Sequence, residues 1–140
     1  PSKSIQIGMR GSLYDPDDFK IAADLGFKVI PGDTLHTMTP ADLANAIKER
    51  VGDNKVFLTF DIDFIDPAYA PGTGTPEVGG FTSYEALQYI RGIKDLNFVG
   101  FDVVEVAPPY DHSEITAYMG ANLIFEFLSI LAYQKANKNK

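Results

Sequence analysis

An apolar run that ends in closely spaced aspartates constrains this chain more than any other feature. Residues 56–60 are rich in β-favouring side chains, and Asp61, Asp63 and Asp66 follow before Pro67. An apolar run bounded by Asp and Pro is typical of a buried strand in a parallel sheet. Because alternate strand residues point to the same side, we expect Asp61 and Asp63 to project together from the carboxyl end of this strand.

The paired aspartates predict a cation site. Two partly buried carboxylates repel each other, so the pair must either take up a proton or bind a cation. Oxygen ligands suit hard cations such as Mg²⁺ or Mn²⁺. The alternative is structural: Asp61 caps the following loop, while Asp63 or Asp66 begins a turn, as aspartates often do. The position at the end of a hydrophobic strand favours the metal, and both interpretations stay open.

Strand and helix patterns alternate along the rest of the chain. Further strands are predicted over residues 4–9, 27–30 and 98–105. Helices are predicted to start near residues 15–16, 39–40 and 82–83, with a final helix over residues 113–133 and a frayed polar tail over residues 134–140. The alternation indicates βαβ units around a mainly parallel sheet, so the predicted fold class is α/β in one domain of residues 1–140. The final helix is apolar on nearly every side, which predicts burial against the sheet and against a neighbouring subunit.

Composition and charge exclude several classes of function. With 12 basic and 19 acidic residues the net charge is −7, which suits a small cationic molecule and argues against nucleic acid or an anionic membrane. The absence of cysteine excludes disulfides, thiolate metal sites and cysteine nucleophiles. Neither a signal peptide nor an uninterrupted membrane-spanning apolar run is found, so a cytoplasmic protein is expected. The chain begins at Pro1, which predicts either a removed initiator methionine or a piece of a longer protein.

Glu105 is a second acid at a predicted strand end. On the strand predicted over residues 98–105 it shares a face with Phe101 and Val103, so it would leave an apolar face at the mouth of a pocket. A carboxylate there can receive a planar cation such as a guanidinium through two parallel hydrogen bonds. The equally weighted alternative is a structural pair with an arginine, or a loop cap. Asp102 points to the other face and is interpreted as a hydrogen-bonded structural group.

Several common catalytic motifs are absent. The loop over residues 71–76 is not followed by Lys-Ser/Thr, and no G-x-G-x-x-G opens a helix, which excludes a phosphate-binding loop and a dinucleotide fingerprint. We therefore interpret this loop as a rigid wall beside the aspartates. No G-x-S-x-G nucleophile elbow is present. His36 and His112 are assigned surface or capping roles, and Arg10 either binds an anion or forms a structural ion pair.

Two linked motifs resemble those of the ureohydrolases, the arginase and agmatinase family. The first is DIDFIDP at residues 61–67, with APGTGTP at residues 70–76 and the pair Gly79-Gly80. The second is GFDVVEVAP at residues 100–108, with Asp111 and Thr116 after it. The resemblance covers residues 5–131. Within the family, the glycine-proline loop and the segment over residues 111–116 are more similar to agmatinase than to arginase.

The resemblance implies the three-layer α/β/α arginase fold with a mainly parallel sheet. It also implies that Asp61 and Asp63 are ligands of a two-manganese (Mn²⁺) centre. Glu105 would bind the guanidinium group of the substrate, with Thr75 near that acid. The implied reaction is hydrolysis of a guanidino compound, agmatine above all, to urea and an amine by a hydroxide that bridges the two metal ions. With agmatine the amine is putrescine, which places the reaction in polyamine biosynthesis.

The chain departs from the family pattern in what it lacks. The G-G-D-H and D-A-H-x-D segments that supply the other metal ligands do not occur in these 140 residues, and the family's shuttle histidine is missing too. We therefore expect the carboxyl-terminal half of an agmatinase-like enzyme, inactive alone and completed by an amino-terminal half or by a homo-oligomer. Two other hypotheses are a non-catalytic binding or assembly module of the same fold and a haloacid-dehalogenase-like phosphatase. Phe64 argues against the phosphatase, which needs Thr or Val after the second aspartate.

Overall fold

Strands and helices alternate through residues 1–138, the part of the chain that a computed structural model describes. The strands are β1 (Ile5–Met9), β2 (Lys28–Pro31), β3 (Val56–Asp61) and β4 (Phe98–Val104). The helices are α1 (Asp18–Asp24), α2 (Gly32–Leu35), α3 (Pro40–Val51), α4 (Ser83–Gly92) and α5 (Ile115–Lys138). Short 3₁₀ turns over Ile62–Phe64 and Pro108–Tyr110 follow β3 and β4.

Side-chain caps determine where α3 and α4 begin. Thr39 and Asp42 each accept a hydrogen bond from the backbone N–H of the other, and Thr82 and Glu85 do the same. This reciprocal arrangement satisfies N–H groups that have no partner inside the helix. The caps confirm the helix starts predicted near residues 39–40 and 82–83.

The four strands form two parallel pairs, β1 with β2 and β3 with β4. Parallel pairing confirms the predicted α/β class. Residues 1–138 do not form one continuous sheet, because β1 and β3 are not hydrogen-bonded to each other. In the second pair Thr59 lies opposite Asp102 and Asp61 lies opposite Val104. The carboxyl ends of β3 and β4 therefore lie side by side.

The hydrophobic core reaches directly beneath the turn that follows β3. Phe127 of α5 stacks on Phe101 of β4 with ring centroids 4.5 Å apart. Ile62 and Ile65, on either side of the aspartate turn, are fully buried. Burial of a side chain of this size stabilises the fold by about 1.5–3 kcal/mol. The turn that carries Asp63 is thus anchored in the core at both ends.

Helix α5 buries one side and exposes the other. Phe127 and Leu123 belong to the core, whereas Phe125 and Leu128 are exposed. The predicted burial on more than one side is therefore not met within residues 1–138, since no element of this part of the chain covers the second face. The stretch Ile115–Asn137 is long and apolar enough to cross a membrane by length and composition. Its buried side packs on α4 and β4, as a core helix does.

The predicted frayed tail is wrong for residues 134–138, which continue α5 as regular helix. The side chain of Gln134 donates hydrogen bonds to the backbone carbonyl groups of Lys94 and Leu96, which follow α4. These bonds hold the last turns of α5 against the body of the chain. The rest of the predicted tail, residues 139–140, lies outside the described residues.

Candidate functional site

The two aspartates lie at the end of β3, but on different kinds of backbone. Asp61 is the last residue of the strand, and Asp63 lies in the 3₁₀ turn Ile62–Phe64. The alternation expected of a continuing strand therefore does not apply to Asp63. The Oδ1 atom of Asp61 accepts a hydrogen bond from the Asp63 N–H at 3.1 Å. Asp61 thus caps the turn, as the structural alternative proposed, and its other carboxylate oxygen is not used in this cap.

Both carboxyl groups are harder to ionise than an ordinary aspartate. Burial raises the pKa of Asp61, and the negative charge of Glu105 raises it further. Burial also raises the pKa of Asp63, and the charge of Asp61 adds to this. Because a cation would favour the ionised form of both groups, the pair has the electrostatic character of a metal site. Asp61 thus interacts with both Asp63 and Glu105, and we refer to these three acidic residues as the acidic cluster.

The glycine-proline loop lies beside this acidic cluster. Thr75 Oγ1 donates a hydrogen bond to Asp63 Oδ2 at 3.3 Å. On the same loop, a Cβ added at Gly74 would lie 3.8 Å from Glu105 Oε2. The loop therefore contacts the second aspartate through Thr75 and passes close to Glu105 at Gly74. Thr75 touches a candidate metal ligand, whereas the resemblance placed it near the guanidinium-binding acid.

Glu105 does not continue its strand. β4 ends at Val104, one residue earlier than predicted, and Glu105 has a φ of 64°. A residue other than glycine pays a conformational cost in this left-handed region, and such positions are frequent at functional sites. The direction of the Glu105 side chain is therefore set by a backbone reversal and not by alternation with Phe101 and Val103. Its side chain is exposed.

Asp102, interpreted from the sequence as a hydrogen-bonded structural group, is instead exposed to solvent. It lies opposite Thr59 in the β3–β4 register, on the sheet face away from α5. None of the side-chain hydrogen bonds or ion pairs found in residues 1–138 involves it. Asp102 is therefore an exposed acidic residue on the strand beside β3, and its side chain makes no hydrogen bond within residues 1–138.

Arg10 joins three segments around the aspartates. Its Nη2 donates to the carbonyl oxygens of Asp63 and Glu77, the latter at 2.7 Å, and its Nε donates to the Val78 carbonyl at 3.4 Å. Within residues 1–138 Arg10 forms no ion pair with a carboxylate. Neither predicted role, anion binding or an ion pair, describes these contacts. Arg10 instead fixes the end of β1 to the backbone of the aspartate turn.

Asp66 has the turn-forming role that the sequence allowed for it. Its two carboxylate oxygens accept hydrogen bonds from the N–H groups of Ala68, at 2.9 Å, and Gly80, at 3.1 Å. These backbone bonds lower the pKa of Asp66. A carboxylate whose oxygens are both engaged by backbone N–H groups is a structural anchor, so we do not assign Asp66 to the metal site.

A second network holds the glycine-proline loop against α5. The Thr116 hydroxyl accepts a hydrogen bond from the Gly72 N–H at 2.8 Å. Asp111 Oδ1 accepts from the Thr116 N–H at 3.0 Å, and Oδ2 accepts from the Ala117 N–H at 2.9 Å. The loop, the start of α5 and Asp111 are thus connected by hydrogen bonds. These hydrogen bonds connect the loop of the first sequence motif to Asp111 and Thr116, which accompany the second motif.

Replacing Gly72 by Ala tests how closely the loop must approach Asp111. A Cβ at Gly72 would lie 2.6 Å from the Asp111 Cβ, so the loop or the helix start must shift. We expect Gly72→Ala to lower the free energy of unfolding by about 1–3 kcal/mol, as overpacking does. Urea denaturation measures the change.

Gly74→Ala is the matched control in the same loop. Its added Cβ would meet only Glu105 Oε2 at 3.8 Å, an ordinary contact distance. Its free energy of unfolding should stay within about 0.5 kcal/mol of the unchanged chain. Equal stability of the two variants would contradict the close approach of the loop to Asp111.

The histidines lie outside the acidic cluster. His36 stacks on Phe81 with ring centroids 4.2 Å apart, and its Nε2 is 3.0 Å from the Gly79 carbonyl oxygen. His112 is exposed, and its backbone N–H bonds to the carboxylate of Asp111. Among residues 1–138 no group of three or more His, Cys, Asp or Glu side chains is arranged to hold a metal ion. The aspartate pair is therefore at most part of a metal site.

Comparison with known proteins identifies the arrangement. The family model of the arginase family matches residues 1–129. The chain belongs to the arginase family. This confirms the resemblance drawn from the two sequence motifs, and the arginase-like fold accounts for the parallel strands with acidic residues at their carboxyl ends.

Individual members of the arginase family are similar to this chain over part of their length. The mitochondrial agmatinase of Gallus gallus is 51% identical over 130 residues, which are 93% of this chain and 38% of that protein. The guanidinopropionase of Pseudomonas aeruginosa is 47% identical over 137 residues, 97% of this chain and 43% of that protein. The crystal structure of a hypothetical agmatinase from Burkholderia thailandensis gives a TM-score of 0.86 at 42% identity, covering 98% of this chain and 41% of that one. The chain therefore spans about two fifths of the length of the relatives it matches.

Two features around the site of this arginase-family chain were missed from the sequence. Arg10 was predicted to bind an anion or to form an ion pair, and the available signal for a specialised turn was the pair of flanking glycines, Gly8 and Gly11, which both adopt a positive φ. Thr73 was not singled out at all. Its hydroxyl is buried and has no hydrogen-bond partner among the described residues. No local pattern distinguishes it from other loop threonines.

Proposed function

We propose that this chain supplies the carboxylate part of a ureohydrolase active site. The reaction is hydrolysis of a guanidino compound, with agmatine favoured, to urea and an amine. The observation that supports it best is the acidic cluster, because Asp61, Asp63 and Glu105 all lie at or just after the adjoining carboxyl ends of β3 and β4. Ligands of α/β proteins bind at this edge of the sheet.

Manganese is the cofactor that this proposal assigns to Asp61 and Asp63. Their oxygen atoms and raised pKa values suit hard divalent cations. Bound divalent cations would lower the pKa of water and stabilise the charge that develops during hydrolysis. Since residues 1–138 contain no group of three ligands, further ligands must come from outside this set of residues.

Glu105 and Thr75 have separate roles in the proposal. The exposed carboxylate of Glu105 is free to pair with a planar guanidinium through two parallel hydrogen bonds. Thr75, through its hydrogen bond to Asp63 Oδ2, orients the second candidate metal ligand. A small cationic substrate also fits the net charge of −7. Cytoplasmic location, a homo-oligomeric state and a place in polyamine biosynthesis stay predictions from the sequence.

A substrate panel tests the proposed specificity. The chain is coproduced with a second polypeptide, which we call the complement. The complement is the chicken agmatinase from which the 130 residues that match this chain have been removed. The resulting complex, the complemented enzyme, is supplied with Mn²⁺ and assayed for urea. Agmatine should give the highest kcat/KM among agmatine, arginine, guanidinobutyrate and guanidinopropionate. A higher value with arginine would overturn the assignment to agmatine, and no urea from any of them would overturn the hydrolase.

A further inference from the structure

The end of β1 is shaped to bring Arg10 beside the acidic cluster. The pairing of β1 with β2 shifts register between Ile7 and Met9, and Gly8 between them has a φ of 80°. An irregularity of this kind bends a strand and redirects the side chains next to it. A Cβ at Gly8 would lie 2.6 Å from the Phe64 ring. Glycine at this position therefore lets β1 lie close to the turn that carries the second aspartate.

Two further glycines leave room for the half-buried Arg10 side chain. A Cβ at Gly32, the first residue of α2, would lie 3.3 Å from the Arg10 Cβ, and one at Gly80 would lie 2.8 Å from Arg10 Nη2. Through Nη2 and Nε the guanidinium group donates to three backbone carbonyl groups, those of Asp63, Glu77 and Val78. One side chain thus connects β1 to the aspartate turn and to the segment after the glycine-proline loop.

The charge of Arg10 does not account for this placement. Arg10 forms no ion pair within residues 1–138. Burial and the charge of Asp61 raise the pKa of Asp63, and the charge of Arg10 opposes this rise. Because like charges repel, a positive charge near a cation site would by itself weaken binding of the cation. If Arg10 serves a metal site, it does so through the geometry of its hydrogen bonds.

We propose that Arg10 is a positioning residue for the candidate metal ligand Asp63. Arg10 holds the Asp63 carbonyl group, and Asp61 Oδ1 holds the Asp63 N–H at 3.1 Å. With both flanking peptide groups held, the Asp63 side chain leaves the backbone in a fixed direction. Loss of a partner that orients a ligand without touching the metal typically weakens metal binding by roughly 10–100-fold. The inference rests on the proposed function, which makes Asp63 a ligand.

Arg50 provides a matched comparison at the opposite end of β1. Its Nε donates to the Ser4 carbonyl at 3.0 Å, and its Nη2 donates to the carbonyl groups of Pro1, at 3.1 Å, and Gly26. Like Arg10, it is half-buried and forms no ion pair within residues 1–138. Ser4 precedes β1 and Arg10 follows it, so Arg50 makes the same kind of contacts away from the acidic cluster.

Hydrogen exchange of the chain alone tests whether Arg10 holds the aspartate turn. The Asp63 amide is bonded to Asp61 Oδ1, so its exchange rate reports the local order of the turn. Arg10→Met should speed this exchange by about tenfold or more, as local opening does, and Arg50→Met should leave it unchanged. Urea denaturation of both variants measures their loss of stability. Unchanged exchange in Arg10→Met, or equal acceleration in both variants, would overturn the proposal.

The manganese affinity of the complemented enzyme tests whether this order matters to the metal. Arg10→Met should weaken Mn²⁺ binding by roughly 10–100-fold. Arg10→Lys should also weaken it, because Lys keeps the charge but offers one nitrogen where Arg10 uses two. Arg50→Met should bind Mn²⁺ as the unchanged complex does. Tighter binding in Arg10→Met with unchanged binding in Arg10→Lys would give Arg10 a purely electrostatic role and overturn the proposal.

The two measurements separate this inference from the proposed function. Equal Mn²⁺ binding by the unchanged complex and by both Arg10 variants would contradict only the positioning role. Absence of bound Mn²⁺ in the unchanged complex would contradict the proposed metal site, and exchange at Asp63 would still decide whether Arg10 holds the turn. If Arg10→Met does not fold, Arg10→Lys carries both measurements, with Arg50→Lys as its control.

Discussion

Replacing Asp61 or Asp63 by Asn should remove bound manganese from the complemented enzyme. Both carboxyl groups lie at the end of β3, and burial raises the pKa of each, so a bound cation would favour their ionised forms. An amide oxygen keeps the shape but removes the charge that attracts Mn²⁺. We expect the affinity for Mn²⁺ to fall by at least about tenfold, which corresponds to ~1.4 kcal/mol. Elemental analysis after dialysis against a series of Mn²⁺ concentrations measures it.

Asp102→Asn is the matched control for the metal prediction. Asp102 lies on the adjoining strand and is exposed, and its side chain takes part in none of the side-chain hydrogen bonds found in residues 1–138. Its replacement by Asn makes the same chemical change as at Asp61 and Asp63 without breaking a side-chain contact in this part of the chain. Its manganese content should stay at the level of the unchanged complex. Full metal occupancy in both Asp61→Asn and Asp63→Asn would remove these residues from the ligand set and return them to the capping role.

Replacing Glu105 by Gln should lower kcat/KM for agmatine without loss of manganese. A carboxylate paired with a guanidinium makes two charge-assisted hydrogen bonds, and Gln keeps the shape without the charge. Glu105 is exposed in this chain, so the figure applies to a pair that the bound substrate and the complement bury: removing one partner of such a pair costs roughly 2–5 kcal/mol, and kcat/KM should fall by more than about tenfold. Steady-state kinetics and metal analysis are therefore measured on the same preparation of the complemented enzyme.

Glu114→Gln provides the control for Glu105→Gln. Glu114 is also exposed and also has a positive φ, 60° against 64°, so both substitutions place Gln in the same backbone region. The control should keep the kinetics of the unchanged complex. An unchanged kcat/KM in Glu105→Gln would show that Glu105 does not bind the substrate and has a structural role only. Loss of manganese in that variant would instead place Glu105 among the metal ligands.

Features encoded by short sequence patterns were predicted correctly. The capping boxes at Thr39 and Thr82 need only residues three apart, and the strand that ends at Asp61 follows from a local apolar run. Parallel pairing follows from the alternation of strands with helices. The family resemblance assigned Glu105 and the two aspartates to the same site. Hydrophobic periodicity alone does not relate these residues.

Features that depend on distant contacts were not predicted. Arg10 reaches backbone carbonyl groups more than fifty positions away, so its neighbours in sequence do not reveal its partners. Asp63 leaves the strand because Ile62 turns into the core, and Glu105 adopts a left-handed backbone that alternation does not foresee. The separation of β1 from β3 was not predicted either. The residue pattern of each segment indicates a strand but does not specify which strand lies beside it.

We propose that this chain carries the acidic part of a ureohydrolase site but not the whole site. Urea release from agmatine by the rigorously purified chain, with Mn²⁺ and with or without the complement, tests it most directly. We expect no urea from the chain alone and sustained release once the complement is present. Replacing both Asp61 and Asp63 by Asn should abolish this release. Urea release by the purified chain alone would contradict it.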